Sequence, residues 1–193
     1  MNIRNIWKHF KTITYHKILV MQGCFKIGLY KQGILHDLSK YSPSEFWVGV
    51  KYYQGTQSPN NAEREALGYS SAWLHHKGRN RHHYEYWLDY TATGKRGEIV
   101  PVPMPDRYIA EMIMDRIAAS KVYMGDKYTD RSPLDYYYRG TDKAPIHPKT
   151  KAKLLYVLEM LAEQGEEKTF QFIKEELVQH KRCMDWHQLE KAE

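Results

Sequence analysis

Apolar residues recur along this chain at steps of three and four, the spacing that lines them up on one face of an α-helix, and hardly ever at the alternate spacing of a strand. From Ile3 to Tyr30 the series Ile3, Ile6, Trp7, Phe10, Ile13, Ile18, Val20, Phe25, Ile27 and Leu29 predicts a long buried helix, with Gly23 and Gly28 as candidate breaks. Gly33 predicts a turn. Ser42-Pro43-Ser44-Glu45 combines a hydroxyl cap, a first-turn proline and an acid, which predicts a helix running to about Tyr53. Gly55 to Asn61 reads as a loop. A helix is predicted from about Ala62 to His76, stopped by Gly78, then a short helix within His82 to Tyr90 and an irregular excursion or small hairpin over Thr91 to Pro105. After Pro105, Asp106 opens a helix whose stripe is Ile109, Met112, Ile113, Ile117 and Val122, ending by Gly125. Two further helices follow, from about Pro148 to Glu163 and from about Glu166 onward. The predicted fold class is all-α. The stretch Gly140 to Pro148 divides a His-rich front, residues 1–140, from a helical extension, residues 141–193, expected to pack on the same core.

At 193 residues and 42% apolar content the chain buries enough surface to fold without staples. Cys24 and Cys183 give no metal-ligand spacing and no disulfide framework, which points to the reducing cell interior, hence a cytoplasmic protein. Uninterrupted apolar runs such as Ile18 to Met21 are far short of the ~20 residues of a membrane span. Arg4, Lys8, Lys11 and Lys17 interrupt the N-terminal apolar residues, so no secretory signal is expected, and no membrane partner. The net charge of +6 favours anionic partners: a phosphorylated small molecule, a nucleotide or a nucleic acid.

The chemistry concentrates in histidine. Of ten histidines, His36, His75, His76, His82 and His83 fall within 48 consecutive residues, a density suited to a borderline transition metal. His36-Asp37 lies in the frame Gly33-Ile34-Leu35-His36-Asp37-Leu38-Ser39-Lys40, where apolar neighbours seat the pair on a core and Lys40 can meet a phosphate as a point charge. Adjacent side chains on a helix diverge by about 100°. One cation can therefore take both only at a particular orientation.

His16 in Tyr15-His16-Lys17, the His36-Asp37 pair and Asp115 in Met112-Ile113-Met114-Asp115-Arg116-Ile117 resemble the pattern of the HD-domain metal-dependent phosphohydrolases, with His75-His76 and His82-His83 in the interval where two-metal branches add histidines. Leu-His-Asp-Leu-Ser-Lys-Tyr-Ser-Pro, Ala-Trp-Leu-His-His-Lys-Gly-Arg-Asn-Arg-His-His and Val-Pro-Met-Pro are together similar to an uncharacterised bacterial and phage family. The resemblance covers about residues 10 to 125. It implies an HD-domain-like helical bundle with additional C-terminal helices, and one or two divalent ions (Mn, Fe, Co, Ni or Zn) held by His16, His36, Asp37, His76, His83 and Asp115. Asp37 and Lys40 would be catalytic, and His75, His82, Arg79, Asn80 and Arg116 would support the ligands or contact substrate. His9, seven residues before His16 on the same helical face, is the alternative to it. Within each His pair, either member can be the ligand.

Three functions follow as alternatives. The first is hydrolysis of a nucleotide or other phosphate ester. The second is a di-iron oxygenase, since the superfamily includes such enzymes. The third is a helical nucleic-acid-binding or host-interaction protein whose His, Lys77, Arg79 and Arg81 form a basic surface, with Tyr69, Trp73, Tyr84, Tyr86 and Trp87 either stacking bases or packing in a core. Tyr136-Tyr137-Tyr138-Arg139 reads as packing and surface. Phe170 to Leu177 is amphipathic, closing the core or forming a homodimer contact.

Overall fold

The computed structural model describes residues 3–140, 143–181 and 186; Cys183 and part of the 141–193 extension lie outside them. The architecture is all-α. In chain order it runs α1 (Ile3–Lys26), α2 (Tyr30–Leu35), a 3-10 turn (Leu38–Tyr41), α3 (Pro43–Lys51), α4 (Pro59–Leu67), α5 (Ser71–Lys77), a 3-10 turn (Tyr84–Trp87), α6 (Asp106–Met124), α7 (Ser132–Tyr138) and α8 (Pro148–Ile173). A small antiparallel hairpin, β1 (Leu88–Tyr90) with β2 (Ile99–Pro101), interrupts the helices and pairs Leu88 with Pro101. The sequence allowed for a hairpin over Thr91 to Pro105; its first strand instead starts earlier, within the His82 to Tyr90 stretch expected as a short helix.

Helix α6 is the axis of the core. Ile109, Ala110, Met112, Ile113, Met114, Ile117 and Ala118 are all buried, so the helix is covered on nearly every side, as its mixed three- and four-residue apolar steps imply. One flank packs against α1, where Gly23 lets the helices approach: a Cβ there would lie 2.8 Å from Met114 Sδ. The same apolar cluster takes in Leu154, Val157, Leu158 and Leu161 of α8, with Phe170, Ile173 and Leu177 beyond. Full burial of each such side chain contributes about 1.5–3 kcal/mol. Phe170 to Leu177 therefore faces the core.

Several boundaries differ from the expectation, each for a local reason. The N-terminal helix breaks at Gly28, whose φ of +89° suits a residue without Cβ. Gly33 is not a turn. It sits buried inside α2, where an added Cβ would lie 2.9 Å from Cys24 Cβ, so it permits close packing on α1. Ser42 precedes α3, but its hydroxyl makes no cap bond and lies 3.0 Å from Ser44 Oγ instead. The single helix expected over 62–76 is two helices, parted at Gly68, φ +80°. Gly165 (φ +79°) likewise breaks α8 between the two C-terminal helices that the pattern separates. Helix α7 was not anticipated. It buries Tyr137 and leaves Tyr136 and Tyr138 exposed.

Candidate metal centre

His16 lies on the buried face of α1 with Ile13 and Val20, one turn away on either side. Asp115 faces it from α6, its Oδ1 2.9 Å from His16 Nε2. The His36-Asp37 pair arrives at the same point because the chain leaves the helix there. His36 is extended (φ −51°, ψ 127°) and Asp37 adopts the left-handed region (φ 53°, ψ 25°). That conformation, which costs a non-glycine residue on the order of 1 kcal/mol, turns two neighbours that a helix would splay apart into converging side chains. Lys17 holds the bend by donating to the carbonyl oxygens of Ile34 (2.5 Å) and His36 (2.9 Å).

The second pair of elements comes from α5 and the loop after it. The Ser70 hydroxyl caps α5 by accepting from Trp73 N, and buried Glu63 accepts from the Ser70 and Ser71 hydroxyls. The cap fixes the helix that carries His75 and His76. His76 Nε2 lies 3.3 Å from Asp37 Oδ1 and 2.9 Å from His83 Nε2, and His82 Nε2 is 3.4 Å from Asp37 Oδ1. Two sets of ligand atoms therefore share Asp37. One is His16, His36, Asp37 and Asp115, the other Asp37, His76, His82 and His83, and within each set all atoms lie within 4.8 Å of one another. All six expected metal-ligand residues meet here. His82 and His83, expected as alternatives with His83 favoured, both stand among the potential ligands.

Two carboxylates that the sequence reading missed orient the rings. Glu111 Oε1 accepts from Nδ1 of both His36 (3.0 Å) and His82 (3.2 Å), while Gln32 donates to Glu111 Oε2. Glu45 accepts from His76 Nδ1 (2.8 Å) through one oxygen and from His75 Nδ1 (2.6 Å) through the other. These bonds orient the rings through Nδ1, with Nε2 of His36, His76 and His82 lying 3.3, 3.3 and 3.4 Å from Asp37 oxygens, the arrangement found behind metal-ligating histidines. Glu111 lies one turn before Asp115, and that spacing was a readable signal. Glu45 was read only as the first-turn acid of α3.

The supporting residues divide. His75 stands behind His76 and joins neither ligand set. Asn80 lies 3.1 Å from His76 Nδ1 and donates to the His76 carbonyl and Ser39 Oγ, so it props the ring. Arg79 is exposed and donates to the His75 carbonyl, away from the cluster. Arg116 is half-buried and acts electrostatically on Tyr84 and Glu85. His9 does not replace His16. It packs against Phe46 and Tyr53 beneath Gly49, and its Nδ1 is buried without a hydrogen bond.

Electrostatically the cluster holds a buried anion among buried imidazoles. Burial opposes charge on Asp37, yet His36, Lys40 and His76 outweigh it and hold the carboxyl well below the ordinary range. Lys40 Nζ is 2.6 Å from Asp37 Oδ2. Burial likewise opposes charge on His36, and Asp37, Asp115 and Glu111 override it, holding the imidazole well above 6.5. His16 and His83 go the other way: burial, with Lys40 for the first and His82 and His76 for the second, keeps them neutral. Despite the crowding, Nε2 of His36 and His82 and Oδ1 of Asp37 are buried and make no hydrogen bond, while His16 Nε2 has Asp115 Oδ1 at 2.9 Å and Asp37 Oδ2 the Lys40 ion pair at 2.6 Å. Nitrogen and oxygen donors left this way around one point fit a cation.

No helix among the described residues is long and apolar enough to cross a membrane. No curated protein and no solved structure matches the chain. Residues 5–160, which include every residue of both ligand sets, match a family of unknown function, DUF5662, and the chain belongs to that family.

Proposed function

We propose that this chain is a metal-dependent phosphohydrolase of HD-domain type, with two divalent transition-metal ions on either side of Asp37. The observation that carries the reading is the convergence of imidazole and carboxylate atoms from α1, the turn after α2, α5, α6 and the 82–83 loop, among which His36 Nε2, His82 Nε2 and Asp37 Oδ1 are buried without a hydrogen bond. Leaving such an atom unsatisfied costs roughly 1–3 kcal/mol, and a cation answers nitrogen and oxygen donors together. His16, His36 and Asp115 would hold one ion, His76, His82 and His83 the other, with Asp37 common to both. Mixed imidazole and carboxylate sets suit Mn, Fe, Co, Ni or Zn.

When bound, such ions supply Lewis-acid polarisation of a phosphoryl oxygen and draw the pKa of water toward neutrality. The chain supplies the rest. Glu111 and Glu45 keep the imidazoles in one orientation. Asp37, held ionised, is an acceptor for a proton released at the centre. Lys40, about a quarter exposed beside Asp37, presents a point charge to phosphate oxygens. The substrate class is a nucleotide or other phosphate ester.

The test is hydrolysis of phosphomonoesters and nucleotides by protein purified without chelator, with and without oxygen. Metal-dependent release of phosphate that persists anaerobically supports the reading. An oxygen requirement would favour the di-iron oxygenase, which the same donor types suit.

A further inference from the structure

The net charge of +6 has a single address. Residues 1–36 contain Arg4, Lys8, Lys11, Lys17, Lys26 and Lys31 and no Asp or Glu, so the remaining residues, 23 basic and 23 acidic, balance. Those first residues form α1 and α2, and the face they turn outward is also apolar. Opposite the buried His9, Ile13, His16 and Val20, the α1 stripe exposes Trp7 (58%), Phe10, Ile18 and Phe25, preceded by Ile3 (82%). The stripe continues sideways. Phe25 meets Tyr30 (61% exposed) at 5.3 Å between ring centres, and exposed Ile34, Leu35 and Leu38 follow in α2 and the next turn. Lys8, Lys11 and Lys26 flank it on the other side, with Lys11 Nζ 5.0 Å from the centre of the Trp7 ring.

We propose that α1 and α2 form an interfacial surface that docks on an anionic phospholipid bilayer. Charge complementarity selects the occupant. A second copy meeting this face symmetrically would oppose basic residues to basic residues with no acid on α1 or α2 to answer them. A nucleic acid would match the charge and could stack on Trp7, but it gives Ile3, Ile18, Ile34, Leu35 and Leu38 nothing that removes them from water. A bilayer surface answers both features: the aliphatic and aromatic side chains enter the boundary between headgroups and acyl chains, and lysines reach the lipid phosphates. The expectation of no membrane partner rested on the lack of a spanning segment, and docking in the plane of the surface requires none. Helix α1, at 24 residues, extends about 36 Å in the membrane plane.

The experiment is co-sedimentation of the full chain with vesicles of phosphatidylcholine alone and of phosphatidylcholine mixed with phosphatidylserine. Binding is expected to the mixed vesicles, to fall steeply with salt, and to drop at least about tenfold in K8E/K11E and in W7A/I18S. These exposed side chains lie outside the ligand sets, so the circular dichroism and phosphate-ester hydrolysis of both variants are expected to match wild type. Failure to bind mixed vesicles, equal binding to neutral ones, or retention by both folded variants overturns the proposal. So do displacement from vesicles by an oligonucleotide that binds more tightly, and a dimer that W7A/I18S dissociates.

Discussion

Glu111 Oε1 sits 3.0 Å from His36 Nδ1, and the same oxygen lies 3.2 Å from Nδ1 of His82. One carboxylate thus orients a ring in each half of the candidate centre. Replacing it by Gln removes the carboxylate charge that answers both N–H donors and sets an amide NH2 against the Gln32 donor. Glu111→Gln is expected to weaken both ions by about 10- to 100-fold, whereas Glu45→Gln weakens chiefly the His76 side. Competition titration against a chromophoric chelator separates the two outcomes.

Lys40 touches Asp37 but belongs to neither ligand set. Lys40→Met is expected to retain wild-type metal content while phosphate-ester hydrolysis falls by roughly 100-fold or more, the loss typical of one charge-stabilising donor. Metal analysis and steady-state kinetics on one preparation check both halves of the prediction.

Gly49 is held to glycine by His9, whose Nε2 would lie 2.2 Å from an added Cβ. Neither the ring, boxed in by Phe46 and Tyr53, nor the α3 backbone has room to give. Gly49→Ala is expected to lose about 1–3 kcal/mol, read from the midpoint of urea unfolding.

His9 also gives the fold an acid sensitivity of its own. Burial, aided by Lys40, lowers its pKa to about 4 from an ordinary 6.5. Between those values the unfolded chain binds a proton that the folded chain refuses, so stability rises with pH across this window. The contribution is complete above 6.5 and is lost as pH falls toward 4, amounting to at most about 3 kcal/mol. His9→Gln should flatten the stability curve between pH 4 and 6.5. An unchanged slope in urea unfolding would exclude His9 as its source.

Much of the fold was legible because α1, α6 and α8 carry long unbroken apolar stripes that only a helix can bury together. The breaks were harder. Gly28, Gly68 and Gly165 take positive φ and end helices, while Gly23 and Gly33 take ordinary helical angles and serve close packing; the letter is the same and tertiary contact decides. At the centre, histidine density brought the 36–83 stretch and the His36-Asp37 pair to notice, and the family resemblance added His16 and Asp115. The choice between His82 and His83 was not readable, since both rings reach the cluster from a loop whose path depends on Asn80 and Glu111. Glu45 was hidden because a buried acid that hydrogen-bonds a histidine looks, in sequence, like any acid on an amphipathic helix, and Glu111 had only its one-turn spacing before Asp115 to mark it.

The central claim is that Asp37 stands between two cations. Metal analysis of protein purified without chelator and supplied with Mn, Fe, Co, Ni or Zn tests it most directly, with Asp37→Ala alongside. Close to two ions per wild-type chain are expected, one for each ligand set, with loss of both on removing the shared carboxylate. Wild-type protein holding less than about a tenth of an equivalent of every metal, at a pH where the neutral imidazoles are free to ligate, would contradict it.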